Sequence, residues 1–265
     1  MANSVAPQGA GAQRVLSKYC VGWWPMREGA GSVFNDRAGS NNFSPINGSE
    51  NWVNTYNRWL TNQIALGPGD TEVLKVDALG ISSVIRFSIS QNDAIISGSA
   101  SMGRVNSGAP ISGLGFLLRN VGNDLAIDAY IGTGTSMWNP TLKATPVTLA
   151  ASLGTRAHCA LCIDRNAQTY ASYVDGVEEV APATYATFAS GFDTLPGVSQ
   201  NTEFVIGARG STAAVSSGIH SISADLEVSD VQIYTTEGSL PANLPALLKS
   251  LTAREYAPLT AAEWP

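Results

Sequence analysis

Residues 156–176 read Arg156-Ala-His-Cys-Ala-Leu-Cys-Ile-Asp164, then Arg165-Asn-Ala-Gln168, then Thr169-Tyr-Ala-Ser-Tyr-Val174 and Asp175-Gly176. Two short runs of aliphatic and aromatic residues flank a polar stretch, and a second turn signal follows at once. The reading is a β-hairpin closed by Arg165–Gln168, with a further turn at Asp175-Gly176, since glycine readily takes positive φ. The same reading decides the Cys-x-x-Cys spacing at Cys159 and Cys162. Residues three apart on a strand face opposite sides, so the two sulfurs diverge and suit neither zinc nor a redox pair. With Cys20 the count is three, which argues against a complete disulfide framework. Buried free thiols are expected.

Working outward, strand-like runs occur at Glu72–Val76, Ser83–Ser90, Gly115–Arg119, Asp124–Ile131, Glu203–Ala208 and Ile219–Tyr234. Most are bounded by Gly, Asn, Asp or Pro. One helix is expected near Ala242–Leu251, with Pro241 close to its start and Leu244, Leu247, Leu248 and Leu251 on one stripe. Many short strands with one helix predict an all-β chain, a two-sheet antiparallel jelly-roll sandwich with a short C-terminal helix. The expected organisation is a docking arm over residues 1–18, the sandwich over 19–251 and a tail over 252–265. Residues 91–113 and 132–155, rich in Gly, Ser and Asn, are expected as long loops, which in compact domains usually carry function or motion. No repeat of about 20–50 residues supports a propeller or solenoid.

Charged residues are 14% of the chain, and 15 basic against 21 acidic residues give a net charge of −6. No Lys/Arg run is present, so no nucleic-acid partner is expected. The first twenty residues have neither a basic start nor an apolar run, so no signal peptide is expected. No stretch approaches the roughly 18 apolar residues of a membrane span, so no membrane insertion is expected either.

Three stretches together resemble one superfamily. Val21-Gly-Trp-Trp-Pro-Met-Arg-Glu-Gly-Ala-Gly31 with Asp36-Arg-Ala-Gly39 resembles its opening strand and turn. His158-Cys-Ala-Leu-Cys-Ile-Asp164 with Tyr173-Val-Asp-Gly176 resembles its central hairpin. Phe204-Val-Ile-Gly-Ala-Arg-Gly210 with Ser229-Asp-Val-Gln-Ile-Tyr234 resembles its closing strands. The family is the concanavalin A-like lectin/glucanase superfamily, in its laminin G-like or pentraxin-like branch. The resemblance implies two curved antiparallel sheets with ligands held on the concave face or at rim loops. Many members bind sugars, some need calcium and some hydrolyse glycans, so fold alone does not choose among these.

The chemistry is then a matter of particular residues. A glycan hydrolase needs two carboxylates about 5–5.5 Å or about 6.5–9.5 Å apart. The nearest string to the superfamily's catalytic motif is Asp225-Leu-Glu-Val-Ser-Asp230, with the acids in a different order. Asp230 instead matches the structural Asp-Val-x-Ile-Tyr of binding members. His158 and His220 are the only histidines, too few for a catalytic zinc site of the usual kind, and His158 sits inside a family-type strand. No Gly-x-Ser-x-Gly elbow is present. The chain reads as non-enzymatic, without catalytic or metal-binding residues. No cofactor is expected, with calcium left open: Asp36, Asp93, Asp124 and Asp193 could supply oxygens, but no dense Asp-x-Asp-x-Asp pattern occurs.

Aromatic residues beside amides are the ligand-binding candidates, because sugar rings stack on flat rings while amides hydrogen-bond hydroxyls. They are Trp138 with Asn139, and Trp52, Tyr56 and Trp59; plain core packing is the alternative for each. Trp23 and Trp24 point to opposite faces of one strand. An arm as bland as residues 1–18 becomes ordered only against something, at about 1–2 kcal/mol per residue. A neighbouring subunit is the expected clamp, the chain's own domain the alternative. Arg14 in the arm and Trp264 in the tail are the expected assembly contacts, with Trp264 anchored either on a neighbour or on the body of its own chain. The functional expectation is a lectin-like structural or adhesion protein mounted on a larger assembly, a bacteriophage virion decoration or tail component. It would be assembled in the host cytoplasm as a homo-oligomer, contact capsid or tail proteins, and bind a cell-surface glycan. A free carbohydrate-binding module, calcium-assisted or not, is the alternative, ahead of a glycan hydrolase.

Overall fold

The fold is that of a computed structural model. The structure describes residues 15–28, 33–42, 80–91, 156–184, 226–254 and 257–265, together with the strand backbones at 44–47, 51–53, 56–59, 64–66, 99–106, 111–121, 124–134, 137–138 and 204–208. In chain order the strands are β1 (Cys20–Trp24), β2 (Ser44–Asn47), β3 (Asn51–Val53), β4 (Tyr56–Trp59), β5 (Ile64–Leu66), β6 (Ser82–Gln91), β7 (Ser99–Asn106), β8 (Ile111–Val121), β9 (Asp124–Gly134), β10 (Met137–Trp138), β11 (Arg156–Asp164), β12 (Thr169–Val174), β13 (Val177–Thr184), β14 (Phe204–Ala208) and β15 (Leu226–Thr236). Among the described residues one helix, α1 (Leu244–Thr252), follows.

The strands form two antiparallel sheets, as the all-β sandwich expectation requires. The first runs β13-β12-β11-β6-β15-β4-β3, with β1 also paired to β15; the second runs β10-β9-β8-β7-β14-β5-β2. The β11–β12 hairpin pairs from Cys159 opposite Val174 to Asp164 opposite Thr169, closed by the turn at Arg165–Gln168. Asp175 and Gly176 both have positive φ, 52° and 72°, the signature of a tight type I′ turn into β13. Strand β15 is shared lengthwise: β4 pairs its residues 226–228 and β1 its residues 231–234. At the seam the register slips between Ser229 and Gln232, and Asp230 takes a φ of 53°.

Side-chain alternation gives the first sheet two buried faces. Ile85, Phe87, Ile89, Cys159, Leu161 and Ile233 lie on the face toward the second sheet, where Phe87 meets Phe116 of β8 edge-on at 4.8 Å. Val84, Ala160, Cys162, Tyr173 and Tyr234 lie on the other face, under a layer made by α1 and the C-terminal tail. The helix presents Leu244, Leu248 and Leu251 to that face, with Leu247 half-buried beside them. Each buried leucine is worth about 1.5–3 kcal/mol. Pro245 sits in the first turn, where a missing N–H interrupts no helical bond. Leu16 pairs with Thr260, and the Ser17 hydroxyl donates to the Trp264 carbonyl at 2.7 Å, so the two ends of the chain lie side by side on this layer.

Two expectations need correction. The stretch 91–113 is not one loop: it contains β7 and the start of β8. Likewise 132–155 contains the end of β9 and all of β10. Ser99-Ala-Ser-Met-Gly-Arg-Val-Asn106 is weakly apolar by itself, and pairing along its whole length with β8, from Ser99–Arg119 to Asn106–Ser112, makes it a strand. Local composition yields to tertiary context in sheets. The runs at 72–76 and 219–225 lie outside the described residues.

Candidate functional site

The first sheet carries the described concentration of polar side chains, on its helix-covered face. Arg86 stands in the middle of β6, 2% exposed, opposite Ala160 and Gln232. Its Nη1 donates to Asp230 Oδ2 at 2.6 Å, and both residues are buried. The other carboxylate oxygen of Asp230 accepts from Trp23 Nε1 at 3.1 Å and Gln232 Nε2 at 2.8 Å. Gln232 in turn accepts the Tyr234 hydroxyl proton at 2.6 Å, and that hydroxyl accepts the Leu259 N–H at 3.0 Å. The network therefore ties β1, β6, β15 and the tail together.

Arg86 Nη2 reaches His158 Nδ1 at 2.9 Å and the Leu251 carbonyl of α1 at 3.4 Å. A guanidinium only donates, so Nδ1 is an acceptor and the imidazole proton is on Nε2. The Ser88 hydroxyl donates to the same Nδ1 at 2.7 Å. Burial, then the Arg86 charge, lowers the His158 pKa from 6.5 to about 4. Ser88 is itself buried, so Ser88 and His158 form no open nucleophile–base pair. Within this network Arg86 and Asp230 neutralise each other's charge in the buried interior.

The remaining acid and thiol candidates follow the same logic. Asp36 is buried and accepts the backbone N–H groups of Trp23, Ala38 and Asn41, holding the 36–42 turn. All three cysteines are free and buried. Burial pushes the Cys20 thiol up to about 12 and the Cys162 thiol higher still, so both stay protonated and unreactive. Among the described residues, no group of three or more His, Cys, Asp or Glu is placed to hold a metal ion.

The sequence-predicted ligand residues fall at two separate places. Trp52 lies on β3, and Tyr56 and Trp59 lie on β4, with Trp52 opposite Asn57 and Trp59 opposite Leu226. By register, Trp52 and Trp59 share the face of buried Val228, and Tyr56 takes the opposite face. Trp138 lies on β10, opposite Ile131, at the far edge of the second sheet. Only residues 48–50 join β2 to β3, a reach of about 14 Å, so those two edges are neighbours and the β10 edge lies across the sandwich. Six strand spacings, on the order of 28 Å, separate β10 from β2. The structure does not bring Trp138 together with Trp52, Tyr56 and Trp59. Asn139 and Arg14 lie outside the described residues. Trp264 is packed on its own chain, 6% exposed, with ring centroids 4.9 Å from Tyr19 and 5.7 Å from Tyr234.

Arg86 escaped the sequence reading. Its signal was available: a lone cation inside the apolar run Val84-Ile-Arg-Phe-Ser-Ile89 requires a buried partner if the strand is covered on both faces.

No protein-family model matches the chain, and no curated protein matches it. Among solved structures it is similar to Trypanosoma rangeli sialidase in complex with sialic acid, with a TM-score of 0.58 and 16% identity over 94% of this chain and 35% of that one. It is also similar to the binding domain of botulinum neurotoxin DC in complex with rat synaptotagmin II, with a TM-score of 0.56 and 8% identity, covering 89% of this chain and 51% of that one. A third is domain 4 of AbnA, a GH43 extracellular arabinanase from Geobacillus stearothermophilus, in complex with arabinotriose. There the TM-score is 0.55 and the identity 12%, over 91% of this chain and 100% of that one. The chain thus spans about a third of the sialidase and half of the neurotoxin domain. At these identities the likeness establishes the fold, a two-sheet antiparallel β-sandwich, and does not single out the laminin G-like branch.

Proposed function

We propose that this chain is a non-catalytic carbohydrate-binding sandwich carried on a larger assembly. The observation that carries the reading is the correspondence with AbnA domain 4, matched over 100% of its length and solved with arabinotriose. The likeness to the sialidase, at 16% identity, transfers no reaction. The described chemistry supports a binding role: His158 and Asp230 are committed to Arg86 within the packed interior. A glycan array followed by calorimetry, with and without chelator, tests the reading. Binding to at least one oligosaccharide without release of reducing sugar is expected. Turnover of any bound glycan, or silence across the array, would sink it.

The assembly part of the proposal, a bacteriophage capsid or tail as the carrier, draws on the bland segment before Val15. Because Leu16 and Ser17 are fixed to the tail, removing residues 1–14 should leave the sandwich folded. The shortened protein should fail to enter its particle; wild-type incorporation would remove the arm from the proposal.

A further inference from the structure

A cavity of about 660 Å³ opens at the end of the first sheet where β1 begins and β15 ends. Ligand sites commonly fall between about 300 and 1,000 Å³. The cavity between the β11–β12 hairpin and the start of α1, at about 210 Å³, is smaller than that range. In the larger cavity Ile81 is buried, and Tyr19, Val21, Thr235 and Thr236 are half-buried. Val21 is the extra residue where the β1–β15 register slips between Cys20 and Gly22, and such bulges re-aim a side chain. Trp264 packs against Tyr19 and braces it. The exposed part of the lining is formed by Lys18, Glu237 and Gly238.

Their bonding capacity is available. Among the described residues the Thr235 hydroxyl and the Glu237 carboxylate have no hydrogen-bond or ion-pair partner, and Lys18 Nζ rests 5.0 Å from the centre of the Tyr19 ring. Apolar and aromatic side chains set beside hydroxyl, carboxylate and ammonium groups match a sugar ring, which offers a C–H face and peripheral hydroxyls. One cation and one anion at the rim give no preference for a charged ligand, and the net charge of −6 disfavours acidic glycans.

We propose that this cavity is a subsite for a neutral sugar residue, with Tyr19, Val21 and Ile81 beneath the ring and Thr235, Glu237 and Lys18 bonding its hydroxyls. The proposal rests on the carbohydrate-binding reading and gives that reading a location. It is tested by titrating maltotriose, cellotriose, lactose and arabinotriose into the full chain and two variants. The first variant combines Thr235→Val with Glu237→Ala. The second is Gly238→Trp, at a lining residue where an added Cβ meets nothing nearer than Thr236 Oγ1 at 4.0 Å. Loss of two hydrogen bonds should weaken binding about tenfold in the first variant. Gly238→Trp should abolish it, with melting temperatures unchanged in both. Wild-type affinity in both variants overturns the subsite and leaves carbohydrate binding standing. Failure of the unaltered chain to bind any of the four sugars overturns the subsite, and silence across the whole glycan array overturns the carbohydrate-binding reading as well.

Discussion

Asp230 holds a positive φ at the seam of β15 while its carboxylate accepts three hydrogen bonds. Aspartate and asparagine tolerate that backbone better than other non-glycine residues. Asp230→Asn therefore keeps the turn but leaves Arg86 buried without a counter-charge. The expected loss is about 3–5 kcal/mol of unfolding free energy, measured by urea denaturation. A loss below about 1 kcal/mol would mean that the guanidinium is solvated and the ion pair matters little. His158 sets a pH dependence. Its folded pKa of about 4 lies below the ordinary 6.5, so between those values the unfolded chain binds the proton and the folded chain does not. Stability is complete above pH 6.5 and declines as pH falls toward 4, by about 3 kcal/mol in all. His158→Asn retains an acceptor near the Nδ1 position and removes the titration. Its stability should be flat across that window; an unchanged slope would assign the loss to other groups.

Gly176 shows how one turn positions the helix. At φ 72° it completes the tight turn into β13, and an added Cβ would lie 2.5 Å from Lys249 Cα of α1. Gly80 has a similar φ of 74° with nothing within 4 Å of its Cβ position. The two glycines separate backbone strain from close approach. Gly80→Ala should cost about 1–2 kcal/mol, the strain alone. Gly176→Ala should cost about 1–3 kcal/mol more, because the helix must shift off the sheet. Thermal unfolding of the two variants measures the difference, and equal costs would show that α1 yields freely. The Asp175-Gly176 pair was legible as a turn because turn chemistry is local. That the turn abuts a helix more than seventy residues later was not.

For the whole molecule, the third layer decides how the first sheet is covered. Trp264, Leu259 and the leucines of α1 bury one face of the sheet, and the second sheet buries the other. Trp264→Ala removes a buried ring from between Tyr19 and Tyr234 and should cost about 3–5 kcal/mol. Earlier proteolytic release of the tail in this variant would confirm the layer by a second route. A melting temperature equal to wild type would show that the tail is an ornament to a two-layer fold.

The sequence by itself determined the all-β class, the hairpin at 165–168, the turn at 175–176, the opposed cysteines and the leucine stripe of the helix. Each depends on alternation or turn preference over a few residues. It did not reveal the strand nature of Ser99–Asn106, which comes from pairing with β8. Nor did it show that the polar positions of β6 are enclosed. Alternation of Arg86, Ser88 and Ser90 with Ile85, Phe87 and Ile89 suggests one wet face, yet all six are buried. Only the tertiary structure decided that, because the cover for Arg86 comes from Asp230, 144 residues along the chain, and from a helix later still. The same return of the chain forms the cavity where Lys18 and Tyr19 meet Thr235 and Glu237. Charge burial and cavity shape depend on which distant segments meet, and no local pattern encodes that meeting.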